Sequence, residues 1–498
     1  MIAARGGTSS VMEIQKFRVG CGMVALSLLM AACNPALSGE VKAGQWLPRI
    51  TVARDQRGFV TATGKPFVPV GVNYYRPGTG WAPKIWQKFD PELTRQDFAR
   101  MKELGVNCVR VFLTYPSFCT DIGELRPEGL AKFDQFLSLA EEAGIYVHPA
   151  GLDHWEGPPN WKPVSIDSEE NLRALEAFWK LFAARYRGRN VIFAYDLKNE
   201  PEVGWDSPEL KQKWNDWLKR KYSSVQALHY AWNQDTPRQF GSIPVPASGD
   251  RYKDPELLDY QSFREDLADE WTRRQAEAIR AADPAALITV GFIQWSVPAL
   301  LPGNLRHYSG FRPERQARYL DFLEIHFYPL ARGAYEYRNE EEETANLAYL
   351  ESVVREVSLA GKPVVLAEFG WYGGGKPTFD GGRHPAASES QQAQYCRRVV
   401  ETSAGFVVGW LNWGLYDQPE ATDCSQLTGL LTAEGKVKEW GKVFQQLAAK
   451  HAGRRLTPPA IGSRPSLDWA ACLTSSAAAT QFREAYLKAF EADARAAK

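Results

Sequence analysis

The sequence has no excess of either charge, few cysteines and no long apolar segment, and these absences exclude several classes of protein. The 59 basic and 59 acidic side chains cancel, and no basic stripe with interleaved aromatic residues marks a nucleic-acid surface. No Gly-x-Ser-x-Gly motif is present, which argues against an acyl-transfer hydrolase. The glycines at 373–375 lack the following Lys and Ser or Thr of a phosphate-binding loop.

The first 33 residues are interpreted as an export signal. Lys16 and Arg18 precede an apolar run at 23–32, which is too short to span a bilayer comfortably. The run ends in Ala32 and Cys33 and resembles a bacterial lipobox, with Cys33 as the lipidated residue. Ordinary signal cleavage after Ala32 is the alternative. We therefore predict a periplasmic or cell-surface lipoprotein, or otherwise a secreted protein, with the Cys33 anchor as its only membrane contact.

The cysteines do not define a disulfide framework or a metal site. Cys21 would leave with the signal and Cys33 would carry the lipid, so an odd number remains in the mature chain: Cys108, Cys119, Cys396, Cys424 and Cys472. None of their spacings fits a metal-binding motif, and connectivity cannot be read from a sequence. We predict no disulfide, no metal and no cofactor.

Two apolar runs each end in a glutamate. Residues 191–197 read as a strand that is buried on both faces, and the run closes in Asn199-Glu200-Pro201. Because proline cannot donate to a ladder, the strand must stop there. Residues 363–367 form a second such strand, which ends in Glu368. Two carboxyl groups on one rim are what hydrolysis of a glycosidic bond requires, although either glutamate alone would fit a simple loop or helix cap.

The remaining pattern alternates strands with helices. Besides the strands at 191–197 and 363–370, strands are expected at 67–75, 106–113, 145–152, 287–292, 320–329 and 406–413. Eight strands alternating with helices predict an α/β fold, a (β/α)₈ TIM barrel, in which chemistry sits at the carboxyl ends of the strands. A helical insertion, read as 208–232 and 255–282, lies between strands four and five and is expected to wall one side of the cleft.

The predicted organisation is a signal at 1–33, a leader at 34–64, a catalytic barrel at 65–451 and a tail at 452–498. The tail is rich in Ala and Ser and either docks on the barrel or stays mobile. No second globular domain is expected, and the protein is predicted to be a monomer.

Arg110 stands in the middle of the second strand. A buried guanidinium is costly unless it is paired, so it must have a carboxylate or carbonyl partner. This partner lies either in a structural salt bridge or at the floor of an active site, and we favour the active site.

The residues at the strand ends resemble those of the retaining β-glycosidases of clan A, and family 5, the cellulase and mannanase family, is nearest. The motifs are Asn199-Glu200-Pro201 after strand four, His326-Phe327-Tyr328 after strand six, Glu368 after strand seven and Trp413 after strand eight. Arg110 fits the same pattern, and the resemblance covers about residues 65 to 450.

The resemblance implies a role for each of these residues. Glu200 would be the general acid/base and Glu368 the nucleophile. Asn199 would hydrogen-bond the sugar 2-hydroxyl, and Arg110 and Tyr328 would orient Glu368. His326 would line the site beside the acid/base, and Trp413 would form the platform for the sugar ring. His326 could instead be a core histidine, and Trp413 could simply plug the top of the barrel.

Two features depart from the family pattern. The family has a histidine at the end of strand three, where His148 and His154 compete, and we favour His154 because it lies at the strand exit. Residues 218–233 look like a segment of clan A family 42 β-galactosidases, which leaves the substrate open.

A retaining mechanism needs its carboxyl groups about 5 to 5.5 Å apart, one neutral and one ionised. Arg110 and Tyr328 are expected to hold the pKa of Glu368 low, and the ionised Glu368 to raise the pKa of Glu200.

The predicted function is therefore retaining hydrolysis of a β-linked glycan, a β-mannan or β-glucan, by double displacement. The partner is an oligo- or polysaccharide. The alternatives are an exo-acting β-mannosidase or β-galactosidase, a transglycosylase with the same residues, and a catalytically silent glycan-binding lipoprotein. The silent protein would be expected to lack one of the two glutamates, and the sequence has both.

Overall fold

The computed structural model describes residues 47–79, 82–157, 159–161, 164–234, 238–299, 304–329 and 335–496. The predicted signal and the lipid site at Cys33 lie outside these residues. None of the helices in the described part of the chain is long and apolar enough to cross a membrane. All five cysteines within the described residues carry free thiols.

Eight parallel strands within the described residues close into a barrel, which confirms the predicted fold class. A small antiparallel sheet precedes the barrel, and a two-stranded hairpin follows its second strand. The small sheet is β1 (Ile50–Val52), β2 (Phe59–Thr61) and β3 (Pro66–Phe67), and the hairpin is β6 (Cys119–Asp121) and β7 (Glu124–Leu125). In spatial order the barrel strands are β4 (Val70–Asn73), β5 (Cys108–Thr114), β8 (Tyr146–Asp153), β9 (Tyr195–Asn199), β10 (Ile288–Phe292), β11 (Leu323–Phe327), β12 (Val364–Phe369) and β13 (Trp410–Asn412).

Helices connect the strands and surround the barrel. They are α1 (Pro91–Glu103), α2 (Tyr115–Phe118), α3 (Pro127–Ala143), α4 (Glu169–Tyr186), α5 (Pro208–Tyr222), α6 (Val225–Trp232), α7 (Pro255–Ala282), α8 (Pro313–Gln316), α9 (Glu340–Ser358), α10 (Glu389–Ser403), α11 (Glu439–His451), α12 (Trp469–Cys472) and α13 (Ser476–Ala496). Several begin with a side-chain cap, such as Ser388 on α10, which accepts from the Gln391 N–H. Such caps satisfy N–H groups that have no partner within the helix.

The insertion after the fourth barrel strand is shorter than the sequence suggested. The helix α7, which we had assigned to it, packs against α4 in the outer ring. It therefore serves as the regular helix between the fourth and fifth barrel strands, and the insertion proper contains α5 and α6.

The first half of the predicted fourth strand pairs with its neighbour less regularly than the second half. Regular pairing of β9 starts at Tyr195, whereas Ile192 forms only an isolated bridge with Val147. Phe193 packs at the amino-terminal end of the barrel, with its ring 5.1 Å from that of Phe59 on β2. The first part of this apolar run is thus joined to β8 by only two hydrogen bonds, from the Val147 N–H to the Val191 carbonyl at 2.7 Å and from the Phe193 N–H to the Val147 carbonyl at 2.8 Å, and it is also buried against the small sheet.

The tail docks on the barrel. The helix α13 packs against α9, and Arg464, ahead of it, donates to Glu351 of α9 at 2.7 Å. The Tyr486 hydroxyl of α13 donates to the same carboxylate at 3.0 Å. The docked alternative therefore applies to the described part of the tail.

Candidate active site

The two glutamates meet at the carboxyl-terminal mouth of the barrel. Glu200 follows β9, and Glu368 lies near the end of β12. One oxygen of each carboxylate and one ring nitrogen of His326 lie within 4.8 Å of one another. The Glu368 side chain is 4% exposed and that of Glu200 is 28% exposed. One carboxyl is thus held in the floor, and the other faces the opening.

The backbone at Glu200 is strained. Its φ is +44°, in the left-handed region that residues with a Cβ rarely adopt. The following Pro201 restricts the backbone of Glu200 further. The Glu200 N–H donates to the carbonyl of Gly291 on β10 at 2.8 Å. Strain of this kind costs about 1–3 kcal/mol and persists where neighbours fix the backbone, so the pairing with β10 aims the carboxyl into the cleft.

Gly291 is a residue that the sequence analysis missed. A Cβ at this position would lie 3.0 Å from Arg110 Nη2, 3.0 Å from His326 Nε2 and 3.1 Å from Asp196 Oδ2. The glycine therefore gives these side chains room to meet below the glutamates. Its place in the ordinary strand sequence Thr-Val-Gly-Phe gave no sign of this.

Arg110 connects the floor of the site. Its guanidinium is fully buried and donates from Nη1 to Glu368 Oε1 at 2.7 Å, and from Nη2 to Asp196 Oδ2 at 2.7 Å. It also donates to the side-chain oxygens of Asn73, at 2.9 Å, and of Asn199, at 2.8 Å. The carboxylate partner that the sequence predicts for Arg110 is thus present, and it lies at the floor of the active site, the alternative that we favour.

Asp196 and Asn73 are the other residues of this floor that were missed. Asp196 is fully buried within β9, and its second oxygen accepts from the Gly291 N–H at 2.8 Å. A charged residue in the middle of an apolar strand was the available signal, the same one that identified Arg110. Asn73 ends β4 and gave no comparable signal.

Tyr328 holds the second oxygen of Glu368. Its hydroxyl donates to Glu368 Oε2 at 3.1 Å, and its backbone N–H donates to Gln294 at 2.8 Å. Arg110 and Tyr328 together bind both oxygens of one carboxylate, which fixes the rotation of that group.

His326 lies between the two glutamates. Its Nδ1 is 3.0 Å from Glu200 Oε1, in a hydrogen bond, and 3.5 Å from Glu368 Oε1. Burial lowers the pKa of His326 and so disfavours its charged, doubly protonated form. The ring therefore contacts the site directly and is more than a core histidine.

Burial controls the proton affinities of both glutamates. It raises the pKa of Glu200 to about 7, against the opposing charge of Arg110, and the nearby Glu202 and Asp153 raise it further. Burial also raises the pKa of Glu368, although His326 and Arg110 act to lower it. The expectation that this pKa is held low was wrong, because it counted the hydrogen bonds and not the desolvation of the carboxylate.

Trp413 belongs to an aromatic cluster beside the glutamates. It packs with Tyr75 and Phe112, with ring centroids 5.7 and 5.8 Å apart, and Tyr328 lies against the same group. Its indole N–H donates to Ser425 at 2.7 Å. This hydrogen bond fixes the plane of the ring, but Trp413 is only 6% exposed, so its role as a sugar platform or as a plug of the barrel top stays a prediction.

Asn199 is oriented by Arg110. Because its Oδ1 accepts from the guanidinium, the amide NH₂ group is left as the donor for another partner. A sugar hydroxyl is an acceptor that suits this group.

The histidines of strand three lie in different layers. His148 is fully buried within β8, where its Nε2 is 2.5 Å from Glu324 Oε1 and its Nδ1 is 2.9 Å from the Ala194 carbonyl. His154 lies at the rim with half its side chain exposed, and its Nδ1 is 3.1 Å from Asp153. Asp153 also pairs with Lys198 at 2.8 Å. His154 thus contacts a carboxylate that acts electrostatically on Glu200, and its role stays a prediction.

Two groups of side chains among the described residues bring metal-ligating atoms together: Glu200, His326 and Glu368 at the mouth, and His148, Asp196 and Glu324 below. In each group the carboxylates already bind Arg110 or a histidine. A buried guanidinium 2.7 Å from both Glu368 and Asp196 supplies the positive charge that a cation would otherwise bring.

Comparisons with known proteins agree with this geometry. A model of the cellulase family, glycosyl hydrolase family 5, matches residues 60–417. The β-galactosidase BgaA of Thermus sp is 30% identical over an alignment of 261 residues, which covers 45% of this chain and 38% of that protein. The β-galactosidase YesZ of Bacillus subtilis is 24% identical over an alignment of 255 residues, which covers 44% of this chain and 37% of that protein. The chain thus spans less than half the length of these curated relatives.

Solved structures share the fold. An exo-β-1,4-mannosidase from Opitutaceae bacterium strain TAV5 has a TM-score of 0.58 and 21% identity, covering 82% of this chain and 64% of that one. A GH5_18 protein from Streptomyces cattleya in complex with GlcNAc has a TM-score of 0.58 and 19% identity, covering 86% and 92%. The family model extends over well over half of the sequence, and the protein therefore belongs to glycosyl hydrolase family 5, the cellulase family.

Proposed function

We propose that this protein is a retaining β-glycosidase in which Glu368 is the nucleophile and Glu200 the general acid/base. The observation that carries the proposal is the pair of facing carboxylates, with an oxygen of each within 4.8 Å. This spacing fits the retaining mechanism, in which the two carboxyl groups lie about 5 to 5.5 Å apart. The two environments also differ: Arg110 and Tyr328 hold Glu368, whereas Glu200 faces the opening.

In the first step Glu368 attacks the anomeric carbon while Glu200 gives its proton to the departing glycosidic oxygen. The bond to the leaving sugar breaks and an ester between the sugar and Glu368 forms. A pKa of about 7 keeps the Glu200 proton available below neutral pH. Arg110 and Tyr328 keep the attacking oxygen aimed, and the Asn199 amide is placed for the 2-hydroxyl, whose hydrogen bonds strengthen in the transition state.

In the second step the ionised Glu200 takes a proton from water, and this water attacks the anomeric carbon. The ester bond breaks, the Glu368 carboxylate is restored, and the product has the original anomeric configuration. A better acceptor than water would give transglycosylation with the same residues.

The proposed substrate is a β-mannan or β-glucan. An exo-acting β-mannosidase or β-galactosidase is the second candidate. It is favoured by the similarity to β-galactosidases and to an exo-β-1,4-mannosidase, and by the insertion of α5 and α6 after the fourth barrel strand. A closed wall would restrict the cleft to chain ends.

A panel of aryl β-glycosides and polysaccharides tests the proposal, with product lengths read for each. Proton NMR should show a first product of retained configuration, and Glu368→Ala should abolish turnover. Glu341→Ala, at an exposed glutamate of α9, is the matched control and should keep full activity. Normal turnover by Glu368→Ala, or a first product of inverted configuration, would refute the assignment.

We also propose that the protein is exported and lipid-anchored at Cys33. The support is the sequence alone: a basic start, an apolar run and two alanines before the cysteine. Metabolic labelling with an alkyne fatty acid should label the wild type and not Cys33→Ser. Secretion of an unlabelled wild type, cut after Ala32, would favour ordinary cleavage.

A further inference from the structure

Arg264 of α7 is a fully buried arginine that the proposed mechanism does not use. Its guanidinium donates to Gln261 Oε1 at 2.7 Å and to the backbone carbonyls of Val203, of Gly204 at 3.2 Å and of Tyr308 at 2.6 Å. All of these acceptors are neutral oxygens, and burial lowers the pKa of Arg264. Because a buried cation bound by neutral groups costs stability, packing alone does not account for its position.

Two of these carbonyls belong to the turn that follows the acid/base. Val203 and Gly204 are the third and fourth residues after Glu200. Tyr260, one helical turn earlier on α7, donates its hydroxyl to the carbonyl of the next residue, Trp205. Side chains of α7 therefore hold three consecutive carbonyls of this turn.

The other side of the turn is held by the segment that leads to α8. The Val203 N–H donates to the Ser309 carbonyl at 2.8 Å, and Arg264 binds the neighbouring carbonyl of Tyr308. The next residue, Gly310, has a φ of +85°, and a Cβ there would lie 3.1 Å from Val203 Cγ2. Arg264 thus ties the turn and this segment together around a buried valine.

The backbone of Glu200 depends on such supports. Its φ of +44° is strained, and its N–H is fixed on β10. Pro201 and Glu202 are the two residues between Glu200 and the first of the bound carbonyls. Strained backbone persists where its surroundings fix it, so a turn that is fixed at Val203 restricts the directions in which the Glu200 carboxyl can point.

We propose that Arg264 and Tyr260 are positioning residues for the acid/base, which keep the Glu200 carboxyl aimed at the leaving oxygen. Their effect falls on the proton transfer and not on the attack by Glu368, because side chains from other parts of the barrel hold that carboxylate. This inference rests on the proposed function.

Kinetics with two kinds of leaving group test the inference. The substrates are lactose, cellotetraose and β-1,4-mannotetraose, each paired with the β-glycosyl fluoride of the sugar at its non-reducing end. A fluoride leaves without a proton, so the ratio of kcat/KM for oligosaccharide to fluoride reports the contribution of the acid. A loss of folded enzyme lowers both rates equally and cancels from the ratio.

Arg264→Met keeps the length of the side chain and removes its donors. Misplacement of a catalytic geometry by about 1 Å can cost about 100-fold in rate, so we expect the ratio to fall about 10- to 100-fold. The unfolding temperature should fall as well, because buried carbonyls lose their partner.

Arg274→Met is the matched control on the same helix. Arg274 donates to Glu176 Oε1 at 3.0 Å and to Glu169 Oε1 at 2.9 Å, both on α4. It therefore holds α4 rather than the turn after the acid/base, and its removal should leave the ratio unchanged.

Tyr260→Phe is a milder variant that removes one hydrogen bond to the same turn. Such a bond is worth about a fivefold change in an equilibrium, so the ratio should fall about fivefold. If Arg264→Met does not fold, this variant decides: a lower ratio supports the inference, and an unchanged ratio overturns it.

The outcomes separate the inference from the proposed function. A wild type that turns over no such pair of substrates would overturn the proposed function. An active wild type whose ratio does not change in Arg264→Met, or changes as much in Arg274→Met, would overturn the inference alone. A fall confined to Arg264→Met and Tyr260→Phe supports it.

Discussion

The raised pKa of Glu200 predicts a basic limit to activity that depends on the leaving group. The general acid must carry its proton, and burial raises its pKa to about 7. Activity on a substrate with a poor leaving group should be lost as the pH rises through 7. Roughly nine-tenths of the enzyme is protonated at pH 6 and roughly one-tenth at pH 8, so kcat/KM should fall about tenfold between them.

The assay measures kcat/KM from pH 4 to 9 for a disaccharide and for the matching β-glycosyl fluoride. Fluoride leaves without a proton, so its kcat/KM should lack this basic limb. Because kcat/KM reports the free enzyme, the limb reflects the pKa in the unliganded site. The acid limb should lie above pH 4.5 for both substrates, since burial raises the pKa of Glu368 above that ordinary value.

The variant Glu200→Gln separates this group from others that titrate nearby. It should lose most activity on the disaccharide, keep turnover of the fluoride to the covalent stage, and show no basic limb near pH 7. A basic limb of equal size for both substrates, or one that persists in Glu200→Gln, would show that another group controls the pH dependence.

Three further perturbations test the supports of the site. Gly291→Ala places a methyl group 3.0 Å from the Arg110 guanidinium, and overpacking of this kind costs about 1–3 kcal/mol. We therefore expect a lower unfolding temperature and a lower kcat. A variant with the stability and kcat of the wild type would contradict this argument. Tyr328→Phe removes a hydrogen bond to the nucleophile carboxylate, and such a bond to a charged group is worth about 1.5–3 kcal/mol. We therefore expect kcat/KM to fall about 10- to 100-fold with little change in melting temperature. A lower melting temperature with unchanged kcat/KM would argue for a structural role. Arg464→Ala leaves the carboxylate of Glu351 without its buried cation, so chemical denaturation should show a free energy of unfolding lower by about 3 kcal/mol, with kcat unchanged. A variant as stable as the wild type would show that this ion pair does not hold the tail on the barrel.

The barrel could be predicted from the sequence because each strand and helix carries its own pattern. The apolar run before Asn199-Glu200 and the run before Glu368 both proved to enter the barrel, and Pro201 fixed where the first one stops. The exact ends of the strands were harder to predict from the sequence. Residues 191–193 pair with β8 only around an isolated bridge, and their apolar side chains do not distinguish them from the regular strand that begins at Tyr195.

The site residues could be predicted where a charged residue interrupts an apolar strand, and could not be predicted where the residue type is ordinary for a strand. Arg110 in an apolar strand demanded a partner, and Asp196 carried the same signal. Gly291 is defined by side chains from three other strands, which no local pattern contains. The pKa of Glu368 was misjudged for a similar reason, since desolvation depends on everything packed around a group.

The central claim is that Glu368 forms a covalent bond with the sugar. A 2-deoxy-2-fluoro β-glycosyl fluoride slows the second step and lets the intermediate accumulate, and digestion followed by mass spectrometry locates the label. The account predicts one sugar per chain, bound to Glu368 and released when an acceptor is added. A label on any other residue, or no label from an enzyme that turns the parent sugar over with inversion, would contradict it.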